Sequence, residues 1–380
     1  MLLDAACAFV LGAAGANAIV RMARGTSGTR IVPATLAQPA RSISVIVPVL
    51  DEAARIAPCL RGLLRAGPEV GEILIVDGGS RDGTLACVRT IAGADPRVRI
   101  IDAAPVPDGW NGKAWGLECG LRAADPRAPW VATIDADVRP EAGIFSAMVA
   151  HAERRNVAAL SVATRQLLAG ALTAIVHPAM LATLIYRFGL PGREATRVDE
   201  VQANGQCFLA RRDVLTALGA FAIVRTSRCE DLTLARALVA SGVPVGFYEA
   251  GDLVSVQMHS DWRDAWLNWP RSLTLRDRFA RFGGRLGLLE VALVQALPLP
   301  LAIVLALVHQ TSTLTFGVAA ILVCVRFGIL AGSARAYIAP PWTYWLAPLA
   351  DVPVTLALIA ATIRTRHRWR GRDLVLAKTR

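Results

Sequence analysis

The stretch Trp130–Pro140, W-V-A-T-I-D-A-D-V-R-P, decides how the chain is read. Val131 to Ile134 are apolar or small and read as a short buried strand, which stops abruptly at two carboxylates, Asp135 and Asp137, one alanine apart. Aspartates at i and i+2 of an extended strand leave it on one face. They can share one hard divalent cation, or divide the work so that one takes the metal and the other a ligand hydroxyl. An Asp-rich turn closing a strand has the same pattern, so the motif acquires meaning only from its surroundings.

The chain of 380 residues exceeds one typical domain, and 54% of it is hydrophobic. With a mean hydropathy of +0.44, part of it is expected to meet lipid. Lys and Arg number 41 against 30 Asp and Glu, a formal charge of +11. Such an excess serves nucleic acid or an anionic membrane surface. The basic residues crowd beside apolar runs, at Arg21, Arg24 and Arg30, from Arg276 to Arg285 and from Arg364 to Arg380, which is a juxtamembrane pattern. No nucleic-acid motif accompanies them, so no nucleic-acid partner is expected. The seven cysteines form no C-x-x-C pair and are odd in number, which fits a reducing, cytoplasmic setting better than a zinc site or a disulfide framework.

Residues 1–24 contain an apolar run whose positive charges follow it, the pattern of an uncleaved membrane anchor. A Gly/Thr/Ser/Pro-rich linker, 25–41, comes next. From 42 to 285 short apolar strands alternate with helical periodicity, the pattern of an α/β domain with a mostly parallel sheet. Strands are expected at Ile43–Val49, Ile73–Val76, Val98–Ile101, Trp130–Ile134 and Gly205–Ala210. Ligands of such sheets bind outside the carboxyl ends of the strands, which puts Asp77, Asp135 and Asp137 on one rim. The apolar run 167–190, interrupted by His177-Pro178 and Arg187, is expected to lie in the membrane interface without crossing. In the region 286–363, three runs approach spanning length. Pro348, Asp351 and Pro353 predict that the third is broken or re-entrant, leaving two full crossings and a basic cytoplasmic tail at 364–380.

Further motifs have chemistry of their own. Asp77 closes a strand at D-G-G-S, where a carboxylate can accept the imide proton of a pyrimidine while the glycines let backbone approach; an ordinary turn also looks like this. Lys113, at a helix start in G-W-N-G-K-A-W, offers an ammonium and a helix N-terminus to a diphosphate, though a solvated lysine is as consistent. Glu230 and Asp231 open a helix, where carboxylates favour the dipole or one serves as a general base.

In order, V-I-V-P-V-L-D-E, I-V-D-G-G-S-R-D-G-T, G-W-N-G-K-A-W, I-D-A-D, N-G-Q-C-F-L-A-R-R and C-E-D-L-T-L-A resemble the motifs of family 2 glycosyltransferases, over roughly Ser42 to Arg278. The resemblance implies a GT-A fold, a Rossmann-like α/β catalytic domain with a mostly parallel sheet, here joined to transmembrane helices. It implies inverting hexosyl transfer from a UDP-sugar, glucose first, with Mg or Mn as the divalent metal. By the same likeness Pro48, Glu52, Asp77, Lys113 and Asp135 belong to the nucleotide-sugar side, Asp137 to the metal, and Asp231 is the catalytic base. Where the family often has a second aspartate after Asp77, this chain has Gly78.

Glu230, Trp269 and Arg271 are assigned to the acceptor or product side. Of the Q-x-x-R-W pattern of processive synthases only Trp269 is kept, which argues against a polysaccharide product. The region His259–Asp277 and the tail H-R-W-R-G-R look more like bacterial enzymes that glycosylate carotenoids and similar lipids. A lipophilic acceptor is therefore expected, carotenoid-like first, with a hopanoid, a sphingolipid-like lipid or a polyprenyl phosphate as alternatives. The expected setting is the inner membrane, multi-pass, in contact with membrane lipids and with the catalytic domain cytoplasmic. A catalytically silent nucleotide-sugar-binding protein is the reading from another class.

Overall fold

The computed structural model describes all residues except 35–38, 228, 274–276, 280–282, 364–365, 370–371 and 376–380. The chain divides into two compact units, one of residues 28–166 and 191–258, the other of 1–27, 167–190 and 259–380. This differs from the expected domain 42–285, because segments at 167–190 and 259–285 join the helical unit. The expected linker also contributes to the sheet unit: Ile31 is 3% exposed in its core, and its N–H donates to the Glu249 carbonyl at 2.8 Å.

The sheet unit begins with β1 (Ile43–Val49), α2 (Ile56–Leu64), β2 (Val70–Asp77), α3 (Thr84–Ala92), β3 (Val98–Asp102), α4 (Gly112–Ala123), β4 (Trp130–Ile134), β5 (Val138–Pro140) and α5 (Ile144–Arg155), α1 being the N-terminal helix Leu2–Thr26. It continues with β6 (Ala159–Ala163) and β7 (Arg165–Gln166), then, beyond α6 (Thr173–Phe188), with β8 (Arg193–Ala195), β9 (Cys207–Arg211), α7 (Arg212–Ala217), α8 (Glu230–Ala240), β10 (Val245–Glu249) and β11 (Val254–Val256). The main sheet has the order β3-β2-β1-β4-β9-β6-β10-β8, and a smaller one the order β5-β11-β7. Neighbours β3, β2, β1 and β4 are parallel. Their apolar runs are continuous because both faces are covered: every residue of β4 is buried. In α2, Ile56, Leu60 and Leu63 are fully buried, as the helical spacing requires.

Two features of this topology place chemistry. Parallel register sets Val49 beside Asp77, so the strands end together. β9 runs antiparallel to β4, pairing Ile134 with Cys207, so the start of β9 meets the end of β4. Asp135 N–H accordingly donates to the Gln206 carbonyl at 3.1 Å. An all-parallel arrangement would have carried Gly205 and Gln206 to the opposite edge.

The helical unit comprises α1, α6, α9 (Trp262–Leu273), α10 (Gly283–Val291), α11 (Pro298–Leu307), α12 (Leu314–Ser333) and α13 (Asp351–Ile363). Three helical stretches, Leu2–Gly25, Leu314–Ala336 and Trp342–Ile363, are long and apolar enough to cross a membrane. The break falls elsewhere than expected: Leu286–Ala296 and Pro298–Leu307 meet at a 42° bend, whereas Trp342–Ile363 qualifies as one stretch. A π-helical turn at Ala292–Ala296 precedes the bend, and Pro298 cannot donate back across it. Pro353 instead lies in the first turn of α13, where an amide has no helical acceptor. Asp4 receives the N–H groups of Leu314 and Thr315 at 3.0 and 2.9 Å, which caps α12. The 16 residues of α6 reach only about 24 Å, short of a ~30 Å apolar core. Its Ala174, Ala179, Met180 and Ala182 are buried against protein. In the tail, Arg366–Trp369 and Arg372–Val375 pair as antiparallel strands.

Candidate active site

Six chain segments meet at the carboxyl rim: the loops after β1, β2 and β4 and the starts of α4, β9 and α8. The loop after β1 is fastened to the loop after β2: Asp51 Oδ1 accepts from Arg81 N–H at 2.7 Å, Thr84 Oγ1 from Glu52 N–H at 2.8 Å and Asp82 Oδ2 from Ala53 N–H at 2.9 Å. Asp77 turns back on its own loop, accepting from Ser80 N–H at 3.1 Å and Gly79 N–H at 3.3 Å. Gly79 has φ +95°, a conformation that glycine adopts freely. Asp77 is 6% exposed, and a carboxylate keeps lone pairs for a further donor. Gly78 leaves room, since a Cβ there would meet nothing closer than 3.5 Å. Pro48 lies under α4, where a Cβ on Gly116 would come within 3.5 Å of it.

Lys113 is presented by the first turn of α4. Asn111 caps that turn, accepting from Lys113 N–H at 2.9 Å, while its own amide donates to the Ser227 carbonyl at 2.7 Å. The start of α4 is thereby tied to the loop that leads into α8. Trp115 adds a second anchor, its Nε1 donating to the Ala103 carbonyl at 2.9 Å.

Lys113 Nζ is 2.7 Å from Asp135 Oδ1 and 2.9 Å from Glu230 Oε1. Asp231 Oδ2 accepts from Gly205 N–H at 2.5 Å. These residues line one pocket, whose apolar wall includes Leu117, Phe208 and Phe221. Burial lowers the basicity of Lys113, but Asp135, Glu230 and Asp231 outweigh it and hold the ammonium well above the ordinary lysine range. Burial, then the neighbouring Glu230, push the Asp231 carboxyl up to about 6, against the pull of Lys113.

Asp137 stands apart from that network. Its Oδ1 is buried with no hydrogen-bond partner, and its Oδ2 is 4.0 Å from Arg55, which also pairs with Glu52 at 2.7 Å. Burial, then Asp135, raise Asp137 to about 7, and Arg55 opposes them. A buried carboxylate oxygen without a donor is costly, and a cation would satisfy it. Among the described residues, no group of three or more His, Cys, Asp and Glu side chains is arranged to hold a metal ion.

Residues 44–217 match the model of glycosyl transferase family 2. That stretch is similar to family 2 glycosyl transferases. No curated protein matches the sequence. Among solved structures, a mannosyltransferase from Pyrobaculum calidifontis, in complex with GDP-Man and Mn2+, is similar over 94% of this chain and 97% of its own, with a TM-score of 0.55 and 19% identity. Glucosyl-3-phosphoglycerate synthase from Mycobacterium tuberculosis, in complex with Mn2+, UDP and glucosyl-3-phosphoglycerate, covers 61% of this chain and 81% of its own at a TM-score of 0.38 and 19% identity. The first likeness is one of fold, and it assigns the sheet unit to the GT-A class.

Of the expected site residues, the structure gathers Lys113, Asp135, Glu230 and Asp231 in one pocket. Asp137 reaches Glu52 through Arg55, while Pro48 and Asp77 lie at the ends of β1 and β2. Trp269 belongs to α9 in the helical unit, 7% exposed, its ring 4.2 Å from that of His177. The side chain of Arg271 lies outside the described residues. Sequence reasoning missed Arg55, Asn111 and the Gly205 amide. Arg55 stands three residues after Glu52, a spacing that announces an ion pair on a helical turn. Nothing local marks Gly205, whose backbone faces Asp231 only because β9 is antiparallel.

Proposed function

We propose that the protein is an inverting glycosyltransferase that moves a hexose, glucose first, from a UDP-sugar to a hydrophobic acceptor dissolved in the membrane. The observation that carries this reading is the pocket in which Lys113, Asp135, Glu230 and Asp231 converge beside the unpartnered Asp137 oxygen. Asp77, Pro48 and Glu52 border the space for the nucleotide, and Asp135 suits the ribose or sugar hydroxyls. Lys113 supplies positive charge to the diphosphate. Asp231, held in place by Gly205 N–H, takes the proton of the acceptor oxygen as that oxygen bonds to the anomeric carbon. The bond from that carbon to the diphosphate breaks in the same displacement, its electron pair leaving with the phosphate oxygen, so the configuration inverts.

Asp137 would hold Mg2+ or Mn2+ together with diphosphate oxygens, the manner in which Mg2+ takes one or two carboxylates plus substrate phosphates. When bound, the ion stabilises the charge of the leaving diphosphate. The absence of a closed cage of protein ligands among the described residues agrees with a cation that arrives with its nucleotide.

Three stretches of spanning length support an inner-membrane, multi-pass protein with a cytoplasmic catalytic unit and membrane lipids around the helices. Such a setting favours a lipophilic acceptor: a carotenoid-like alcohol or acid first, then a hopanoid, sphingolipid-like lipid or polyprenyl phosphate. Trp269 and Arg271 are proposed for the acceptor side. The test is UDP release from UDP-glucose by the detergent-solubilised full chain with Mg2+ or Mn2+, with mass spectrometry of the lipid fraction to identify the product. Release that Asp137→Ala abolishes supports the reading. UDP binding without release identifies a silent nucleotide-sugar-binding protein instead.

A further inference from the structure

Glu230 occupies the first turn of α8, where a carboxylate ordinarily serves the helix dipole. Its geometry points to another task. Its Oε1 is 2.9 Å from Lys113 Nζ and its side chain is 9% exposed, while the same ammonium reaches Asp135 at 2.7 Å. An ammonium has three N–H donors, so one remains for a third acceptor. Gly205 lies close to both side chains: a Cβ built there would be 3.2 Å from Lys113 Nζ and 3.0 Å from Asp231 Oδ2.

We propose that Glu230 is a positioning residue, which through its ion pair with Lys113 couples occupancy of the diphosphate site to the base, Asp231. This rests on the roles of Lys113 and Asp231 proposed above. In the resting site Lys113 is the counter-charge shared by Asp135 and the adjacent pair Glu230 and Asp231. A diphosphate that engages the third N–H takes part of that charge. Glu230 is then less compensated, and Asp231 beside it holds a proton more readily when the acceptor oxygen must give one up. The coupling makes and breaks no covalent bond. Among the described residues, the groups facing Asp231 are Glu230 and the Leu232 N–H from α8, Lys113 from α4, Asp135 after β4 and the Gly205 N–H before β9.

The test compares pH profiles of kcat/KM for the parent, Glu230→Gln, Glu230→Asp and Lys113→Met, using the detergent-solubilised full chain, UDP-glucose and Mn2+. Removing the carboxylate is expected to move the acid limb of Glu230→Gln down by about one pH unit, with a lower plateau because the base is weaker. Glu230→Asp keeps the charge and the limb. Lys113→Met moves the limb the other way. A residue that only stabilised the α8 turn would lower activity at every pH and leave the limb in place, and that result overturns the proposal. Should Glu230→Gln fail to fold, Lys113→Met decides alone, an unmoved limb again overturning it. A parent without turnover removes the proposed function and this coupling together, whereas an active parent with an unmoved limb removes only the coupling.

Discussion

Two of the places where the molecule buries charge differ in how that charge is satisfied. At the sheet rim, Arg55 pairs with Glu52 at 2.7 Å and lies 4.0 Å from Asp137, Lys113 bridges Asp135 and Glu230, and Asp137 Oδ1 is buried with no hydrogen-bond partner. In the helical unit, Arg326 of α12 meets Asp351 of α13 with Nε to Oδ2 at 2.7 Å and Nη2 to Oδ1 at 2.9 Å, and the two side chains are 4% and 2% exposed. Gln295, in the π-turn before the bend, donates to Asp351 at 2.8 Å and to the Ala179 carbonyl at 2.8 Å. That cluster is neutral as it stands, and it ties four helical segments together. Buried charge that is already paired acts on folding and helix placement. A buried carboxylate oxygen without a donor, as at Asp137, calls for a cation.

The contrast predicts that the rim tolerates substitution structurally and fails chemically, while the helical cluster does the reverse. Asp231→Asn should lower kcat by about 10²–10⁴-fold with UDP binding retained, measured by turnover alongside calorimetric titration. Near-parent turnover would remove Asp231 as the base. Asp351→Asn, which leaves Arg326 unpaired, should cost about 3–5 kcal/mol, read as a lower melting temperature in detergent. The double change Arg326→Met with Asp351→Leu should recover much of that loss. A double variant no better than the single one would mean that the pair is needed for something beyond its charge balance.

Smaller effects sharpen the same line. Gly205→Ala places a Cβ 3.0 Å from Asp231 Oδ2 and should lower turnover by about 10–100-fold with little change in melting temperature. Unchanged turnover would show that Asp231 is not held where it works. The Asp231 carboxyl, raised to about 6 by burial and Glu230, could serve as the proposed base only when deprotonated. Activity of the parent should therefore fall as pH drops through about 6. A limb at the ordinary aspartate value near 4 would contradict the burial of this site.

Much of the rim was legible in local sequence. β4 and its D-A-D ending, the Asp77 loop and the Lys113 turn each show as an apolar run closed by a carboxylate or a helix start, because parallel strands buried on both faces leave that pattern. The match over residues 44–217 reflects the same motifs. Less visible were contacts that need two distant segments at once. Arg55 was overlooked because a charged residue on an exposed-looking turn reads as solvated, and the bend at Leu297 because Pro348 and Pro353 offered a stronger local signal than the π-turn before Pro298.

Apolar periodicity and motif order alone determined that this chain has an α/β unit with carboxylates at strand ends and helices fit for lipid, since those features depend on neighbours within a few residues. Which carboxylate faces which cation was decided only in three dimensions. The antiparallel entry of β9 sets the Gly205 amide against Asp231, Asn111 fixes α4 to the loop before α8, and Lys113 comes to rest between Asp135 and Glu230. Electrostatic energy follows the distance between charges in space, and separation along the chain does not specify that distance.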